Sequence, residues 1–186
     1  MDFRPDYPIR TERLALRPFV ASDLDALLDL ESREDVVRHL PWGVMDRAVA
    51  ERQLARRLTQ TALTGNDTAI VLVATIPPDD RMIGEFMLQL TSERNRAGEI
   101  GWTLHPDVQG RGYALEAARE LLRLGFEDLG LHRISATADP RNEPSTRLME
   151  RLAMHREGIL RGVLFKDEWL DEVLYSILED EWRASA

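Results

Sequence analysis

Between residues 99 and 128 the hydrophobic pattern changes period once, across a pair of glycines, and this stretch constrains the fold more than any other. Glu99 to His105 alternates Ile100, Trp102 and Leu104 against Glu99, Gly101 and Thr103, the period of a half-buried strand. From Gly112 onward the period becomes that of a helix, with Ala114, Ala117, Ala118, Leu121, Leu122 and Gly125 on one face to about Asp128. The connection is Gln109-Gly110-Arg111-Gly112-Tyr113-Ala114, reached through His105-Pro106-Asp107-Val108. A helix start leaves backbone N–H groups unpaired, and glycines there let the chain wrap closely round an oxyanion that the helix dipole also favours. The spacing therefore reads either as a phosphate or pyrophosphate cradle or as an ordinary glycine-containing loop. Two familiar phosphate motifs are excluded. Leu115 stands where a dinucleotide fold needs its third glycine, and no Gly-Lys-Ser/Thr follows.

The flanking segments alternate strand and helix. Arg13 to Phe19 reads as an opening strand, and Ser22 with Asp25 suggests a capping box ahead of a short helix bearing Leu24, Leu27 and Leu28. Asp46 is a second N-cap candidate, and Ala50, Leu54 and Leu58 predict a helix over 47–63 that Gly65 ends. Thr68 to Ile76 is a β-type run stopped by Pro77-Pro78-Asp79-Asp80, turn chemistry that leads into an alternating strand over Met82 to Leu90. Then come a strand over Ile134 to Ala138, a helix over Ser145 to Leu152, and strands over about 156–165 and 168–178 around Lys166-Asp167-Glu168. This order predicts an α/β (α+β) chain with a mixed sheet. No repeat or linker divides it, and 186 residues suit a single domain.

Composition removes several function classes. There is no cysteine, which excludes disulfides, thiolate zinc sites and cysteine nucleophiles. The 4 histidines show no metal-ligand spacing with carboxylates, so no metal is expected. A net charge of −9 argues against a nucleic-acid partner and mildly favours a cationic substrate. The longest apolar run, Ala69 to Ile76, is far short of a membrane span. Met1 to Arg10 lacks the apolar core of a signal peptide, so a cytoplasmic protein with no membrane partner is expected.

At the glycine turn the residues become recognisable. Gln109-Gly110-Arg111-Gly112-Tyr113-Ala114 resembles the Gln/Arg-x-x-Gly-x-Gly/Ala signature of the GNAT superfamily of acetyl-CoA-dependent N-acetyltransferases. Four further segments agree in order. Thr11-Glu12-Arg13-Leu14 with Leu16-Arg17-Pro18 resembles the opening strand of the RimJ/RimL-type branch. Glu99-Ile100-Gly101-Trp102 with Leu104-His105-Pro106 is similar to its fourth strand, and Asn142-Glu143-Pro144-Ser145 to its Asn-x-x-Ser segment. Trp169 and Asp171, before Val173 and Tyr175, resemble its C-terminal strand. The resemblance spans about Thr11 to Trp182. It implies one GNAT-fold domain over 11–182 with a splayed central β-sheet, an N-terminal extension over 1–10 and a tail over 183–186.

It also implies roles. Acetyl-CoA would lie between the splayed strands, with the backbone of Trp102, Thr103 and Leu104 beside the pantetheine arm and the amides of Gln109, Gly110, Arg111, Gly112, Tyr113 and Ala114 on the pyrophosphate. An amide near Leu104 or Trp102 would donate to the thioester carbonyl, an interaction worth about 3 kcal/mol in the transition state. Trp102's own side chain is either ligand or core, since it shares a face with Ile100 and Leu104. Asn142 either caps the following helix or contacts the coenzyme, and Ser145 would lie near the sulfur. Two positions depart from the family pattern. Met149 stands where many members carry a tyrosine acid, leaving Ser145 or a water to protonate the thiolate, and Ala153-Met154 replaces the usual Gly-aromatic pair.

The amine must lose a proton before attack. An α-amine, with a pKa near about 8, is roughly a tenth deprotonated at neutral pH, whereas lysine near about 10.4 is almost wholly charged. Glu99 is the candidate base, acting through a water, or else an exposed strand-end carboxylate, and Glu85 is a weaker candidate. Asp171 either meets the substrate ammonium or makes an ordinary salt bridge. Trp42 either lines the acceptor groove with the 165–169 turn or is simply buried. The expected activity is direct transfer from acetyl-CoA to a peptide N-terminus or small amine, with a homodimer as in relatives. The rival is a non-catalytic acyl-CoA-binding sensor of the same fold, for which Met149 is the best argument.

Overall fold

In the computed structural model, which describes residues 2–185, the alternating segments pair into one mixed sheet. Among the described residues it has eight strands in sequence order save for the last two, β1-β2-β3-β4-β5-β6-β8-β7. Strand β1 is Ile9–Arg10, β2 Ala15–Pro18, β3 Thr68–Thr75, β4 Gly84–Ser92 and β5 Ala97–Leu104. Strand β6 is Arg133–Ala138, β7 His155–Lys166 and β8 Glu168–Leu178. The helices are α1 Leu24–Glu31, α2 Glu34–Val37, α3 Arg47–Arg57, α4 Tyr113–Arg123, α5 Glu143–Arg151 and α6 Glu179–Ser185. Neighbouring strands are antiparallel except β5 and β6, which run parallel through the α4 crossover.

The period change at Gly112 decides the layering. Ala117, Ala118, Leu121 and Leu122 of α4 are buried against Phe86, Leu88, Ile100 and Ile134 in the larger core, on one side of the sheet. Each such leucine removed from water contributes about 1.5–3 kcal/mol. On the other side, Leu27 and Leu30 of α1 and Leu54 of α3 cover Val71 and Val73 of β3.

Several boundaries differ from the sequence reading. The helix predicted over 47–63 stops at Arg57, because Thr59 Oγ turns back onto the Arg56 carbonyl and Leu63 pairs by backbone with Phe3. The first cap is not the Ser22/Asp25 box. Asp23 accepts from Val20 N–H at 2.8 Å and is itself held by Arg17, so a 3-10 turn over Ala21–Asp23 precedes α1. The central helix relaxes into a π-helical turn over Leu124–Asp128. Ile9 and Arg10, expected in an extension, pair with Leu16 and Ala15, and the expected tail from 183 is helical to Ser185. Met1 and Ala186 lie outside the described residues.

The feature that positions the site is a parting of the sheet. Strands β5 and β6 share register only at Ala97 with Arg133, Gly98 with Ile134 and Glu99 with Ser135. Beyond that, β5 stays with β4, Leu104 opposite Gly84, while β6 follows β8, Ala138 opposite Val173.

Candidate active site

The parting leaves one edge of β5 open. His105 N–H bonds the Ile83 carbonyl at 2.9 Å, on the β4 side. Ser135 Oγ donates to the Gly98 carbonyl on the β6 side. Since peptide groups alternate along a strand, the N–H groups of Trp102 and Leu104 face the opening. The Leu104 carbonyl there already accepts from Gln109 Nε2 at 3.0 Å. Side chains alternate with them. Ile100 and Leu104 are buried toward α4 with Trp102 packed beside them, while Glu99, Gly101 and Thr103 face the other way.

The glycine turn sits at the end of this edge. Gly110 and Gly112 have φ of 75° and 83°, the left-handed region in which a side chain is strained, and no atom lies within 4 Å of where a Gly110 Cβ would stand. The first α4 bond runs from Glu116 N–H to the Gly112 carbonyl, so the N–H groups of Tyr113, Ala114 and Leu115 project from the helix end. Gln109 shapes this turn rather than offering its amide. Its N–H is taken by the Pro106 carbonyl and its side chain by Leu104. Arg111 is exposed, its guanidinium turned back on the Asp107 carbonyl.

The opening motif proves to be the brace for this turn. Glu116 Oε1 accepts from Thr11 Oγ at 2.5 Å and from Arg13 N–H at 2.7 Å, while Arg13 Nε bonds its Oε2 at 2.7 Å. Arg13 also donates to the Arg111 carbonyl and lies 4.7 Å from the centre of the Tyr113 ring. Burial pushes the Glu116 carboxyl up, but these donors outweigh it and hold it below the usual carboxylate range.

Two cavities meet along the open edge. The larger, about 640 Å³, runs from the glycine turn past Tyr113 and Ala114 to the start of α5. The smaller, about 300 Å³, continues on the far side of Trp102 and Thr103, and His39, Leu40, Asn142 and Ser145 border both. Of the expected coenzyme residues, Trp102, Thr103, Leu104, Gln109, Gly110, Gly112, Tyr113, Ala114 and Asn142 line the larger cavity, and Arg111 does not. Asn142 does cap α5, accepting from Ser145 N–H at 3.2 Å, while still facing both spaces. Met149 is wholly buried in the core beneath α5.

The smaller cavity carries the chemistry-bearing side chains. Glu99, Trp42 and Asp171 line it. Glu99 is held above the usual carboxylate range by burial and then by the charge of Glu172, and burial raises Glu172 as well. Neither meets a cation at ion-pair distance among the described residues. Glu85, the weaker base candidate, is engaged. Its carboxylate forms a buried two-point pair with Arg57, which occupies it. Asp171 is exposed and accepts from Gly162 N–H at 2.8 Å, so it also fixes the β7 bend. Trp42 is half-buried and donates to Glu31 Oε2 at 2.6 Å.

Sequence reasoning missed three side chains that line this cavity, His39, Asp139 and Glu172, and Glu31 behind it, which holds Trp42. Glu31 is fully buried, raised by burial, with Oε1 unpartnered. His39 Nδ1 lies 3.2 Å from Asp139 Oδ2. Burial pushes the Asp139 carboxyl up, but Arg141 and then His39 bring it down to about 2. These pairs are separated by 100 residues or bridge unrelated elements, and no local spacing signals them.

Comparison with known proteins gives the family and the fold. The family description "Acetyltransferase (GNAT) domain" matches residues 13–155. The uncharacterized N-acetyltransferase YnaD of Bacillus subtilis (strain 168) is 35% identical over 175 residues, covering 94% of this chain and 98% of its own. A GNAT-family acetyltransferase from Bacillus anthracis superposes with a TM-score of 0.82 at 31% identity, covering 93% of this chain and 99% of that one. A spermidine N-acetyltransferase from Vibrio cholerae, solved with CoA and spermine, superposes with a TM-score of 0.76 over 92% of this chain and 98% of its own. At 20% identity, that last likeness is one of fold.

Proposed function

The chain belongs to the GNAT acetyltransferase family, and from that premise we propose that it is an N-acetyltransferase moving acetyl from acetyl-CoA to a primary amine by direct attack in a ternary complex. The observation that carries this reading is the open β5 edge between two confluent cavities, one ending in a glycine turn of outward amides and the other in unpaired carboxylates. The residues fit the coenzyme. A peptide-like pantetheine arm matches the unpaired N–H groups of Trp102 and Leu104, and a pyrophosphate matches the amides of Gly110 to Ala114 at the positive end of α4. A protein of the same fold is known with CoA bound.

Acetyl-CoA supplies an activated thioester, and the side chains of this chain supply the rest. Glu99 takes the ammonium proton through a water; its raised pKa brings it nearer the acidity of the amine it must deprotonate. The Trp102 or Leu104 N–H donates to the carbonyl oxygen as negative charge grows there. The new N–C bond forms as the C–S bond breaks, and Ser145, bordering both cavities, relays the second amine proton: its hydroxyl gives a proton to the departing thiolate and takes one from the acylated nitrogen. Trp42 walls the amine side. Asp171 faces the approaching cation while it holds Gly162.

Thiol release from acetyl-CoA is the test, run with short peptides bearing free N-termini, the same peptides blocked, lysine side chains, polyamines and aminoglycosides. Turnover on at least one amine, lost when that amine is blocked, is the expected result. Tight binding of acetyl-CoA with no turnover on any amine would overturn the reading in favour of a sensor.

A further inference from the structure

Lys166 is the only lysine in the chain; the other 23 of its 24 basic residues are arginine. It ends β7 at the hairpin turn, and its ammonium reaches across to the segment just after α2. Nζ donates to the carbonyls of Val37 at 2.8 Å, Leu40 at 3.0 Å and Arg38 at 3.4 Å. An ammonium has its N–H donors in tetrahedral array and can converge on a cup of carbonyls, whereas a guanidinium is a planar fork that cannot. The carbonyls lie where α2 ends, and its last turn leaves such groups without helical partners and bearing partial negative charge.

This segment is the roof of the site. His39 and Leu40 border both cavities, and Pro41 and Trp42 border the smaller one, which Leu164 and Leu170 of the hairpin wall on the opposite side. Among the described residues, side-chain hydrogen bonds fasten the roof at three points: His39 to Asp139 at the end of β6, Trp42 to Glu31 of α1, and Lys166 to the hairpin.

We propose that Lys166 is a positioning residue for acetyl transfer, latching the Val37–Leu40 roof onto the β7–β8 hairpin and so fixing the height of the amine chamber. The proposal rests on the acetyltransferase reading for what the chamber holds, but the latch itself can be tested without turnover. In the free protein, an N-hydroxysuccinimide acetate ester meets one side-chain amine, and its reaction is followed by mass spectrometry. Lys166 should be labelled about tenfold more slowly than the amine introduced by Arg161→Lys, which stands exposed on the same strand. In Lys166→Met, hydrogen exchange at the Leu40 amide, which bonds the Val37 carbonyl, should quicken about tenfold while that of Glu116 in α4 stays unchanged.

With an amine that the wild type acetylates, Lys166→Met should raise KM for that amine about tenfold and leave the dissociation constant of CoA within about threefold. Lys166→Arg should behave like Lys166→Met, because charge alone cannot fill the carbonyl cup. Equal labelling of Lys166 and the Arg161→Lys amine, unchanged exchange at Leu40, or full rescue by arginine would each overturn the latch. If no amine is turned over, the acetyltransferase reading fails, while labelling and exchange still decide whether the roof is latched.

Discussion

The two walls of the site are built by different means. The side proposed for the coenzyme, β5 and the start of α4, is made of backbone: alternating N–H groups, two glycines at positive φ and a helix end. The side proposed for the amine is made of side chains from remote elements: Glu99 on β5, Glu172 on β8, Trp42 after α2, and a roof held by Asp139 and Lys166. A backbone wall is written in local spacing and tolerates change in its side chains. A side-chain wall depends on what the fold brings together, and a single substitution can alter it.

If the division is real, substitutions on the two sides should fail differently. Glu99→Gln removes the proposed base and should lower kcat/KM about 10²–10⁴-fold with CoA affinity unchanged, measured by steady-state kinetics beside calorimetry. A loss of CoA affinity instead would blur the division. On the backbone side, Gly112→Ala places a Cβ at φ 83°, 3.3 Å from Arg13 Nη2. It should cost about 1–2 kcal/mol in denaturant unfolding and weaken CoA binding about tenfold, with the acidic limb of the pH profile in place.

That acidic limb tests the amine side more finely. Burial and then the Glu172 charge keep Glu99 protonated to a higher pH than an ordinary carboxyl, so activity should rise with pH as Glu99 ionises, above the usual carboxylate range. Glu172→Gln removes a neighbouring negative charge, makes ionisation of Glu99 easier, and should move the limb to lower pH. A limb that stays put would separate Glu99 from the proton transfer. The smallest effect is expected from Ser145→Ala, a severalfold loss in kcat that shrinks with acyl donors whose thiols are more acidic, since such leaving groups need no proton.

The same division explains what could be read from the chain alone. The order of strands and helices and the turn between β5 and α4 all follow from periodicity over a few residues, and the five-segment resemblance to the GNAT family rests on the same stretches. Thr11 and Arg13 were visible as a motif, yet their purpose, bracing Glu116 at the helix end, required the fold. Glu172, Asp139 and Glu31 carry no local signature; each matters through a partner that only packing supplies. The helix expected to reach residue 63 failed for a related reason. The strand-like pairing of Leu63 with Phe3 outcompeted a helical pattern that was already weak beyond Arg57.

Only three residue pairs join β5 to β6. Mechanically, the sheet is a book with a short spine: β1 to β5 form one cover, β6 to β8 the other, and each is bound to its own neighbours far more extensively than to its opposite. On the proposed function, a strand-shaped coenzyme between the covers would add the stitches that the chain itself omits, so the molecule consumed in each cycle would also complete the binding.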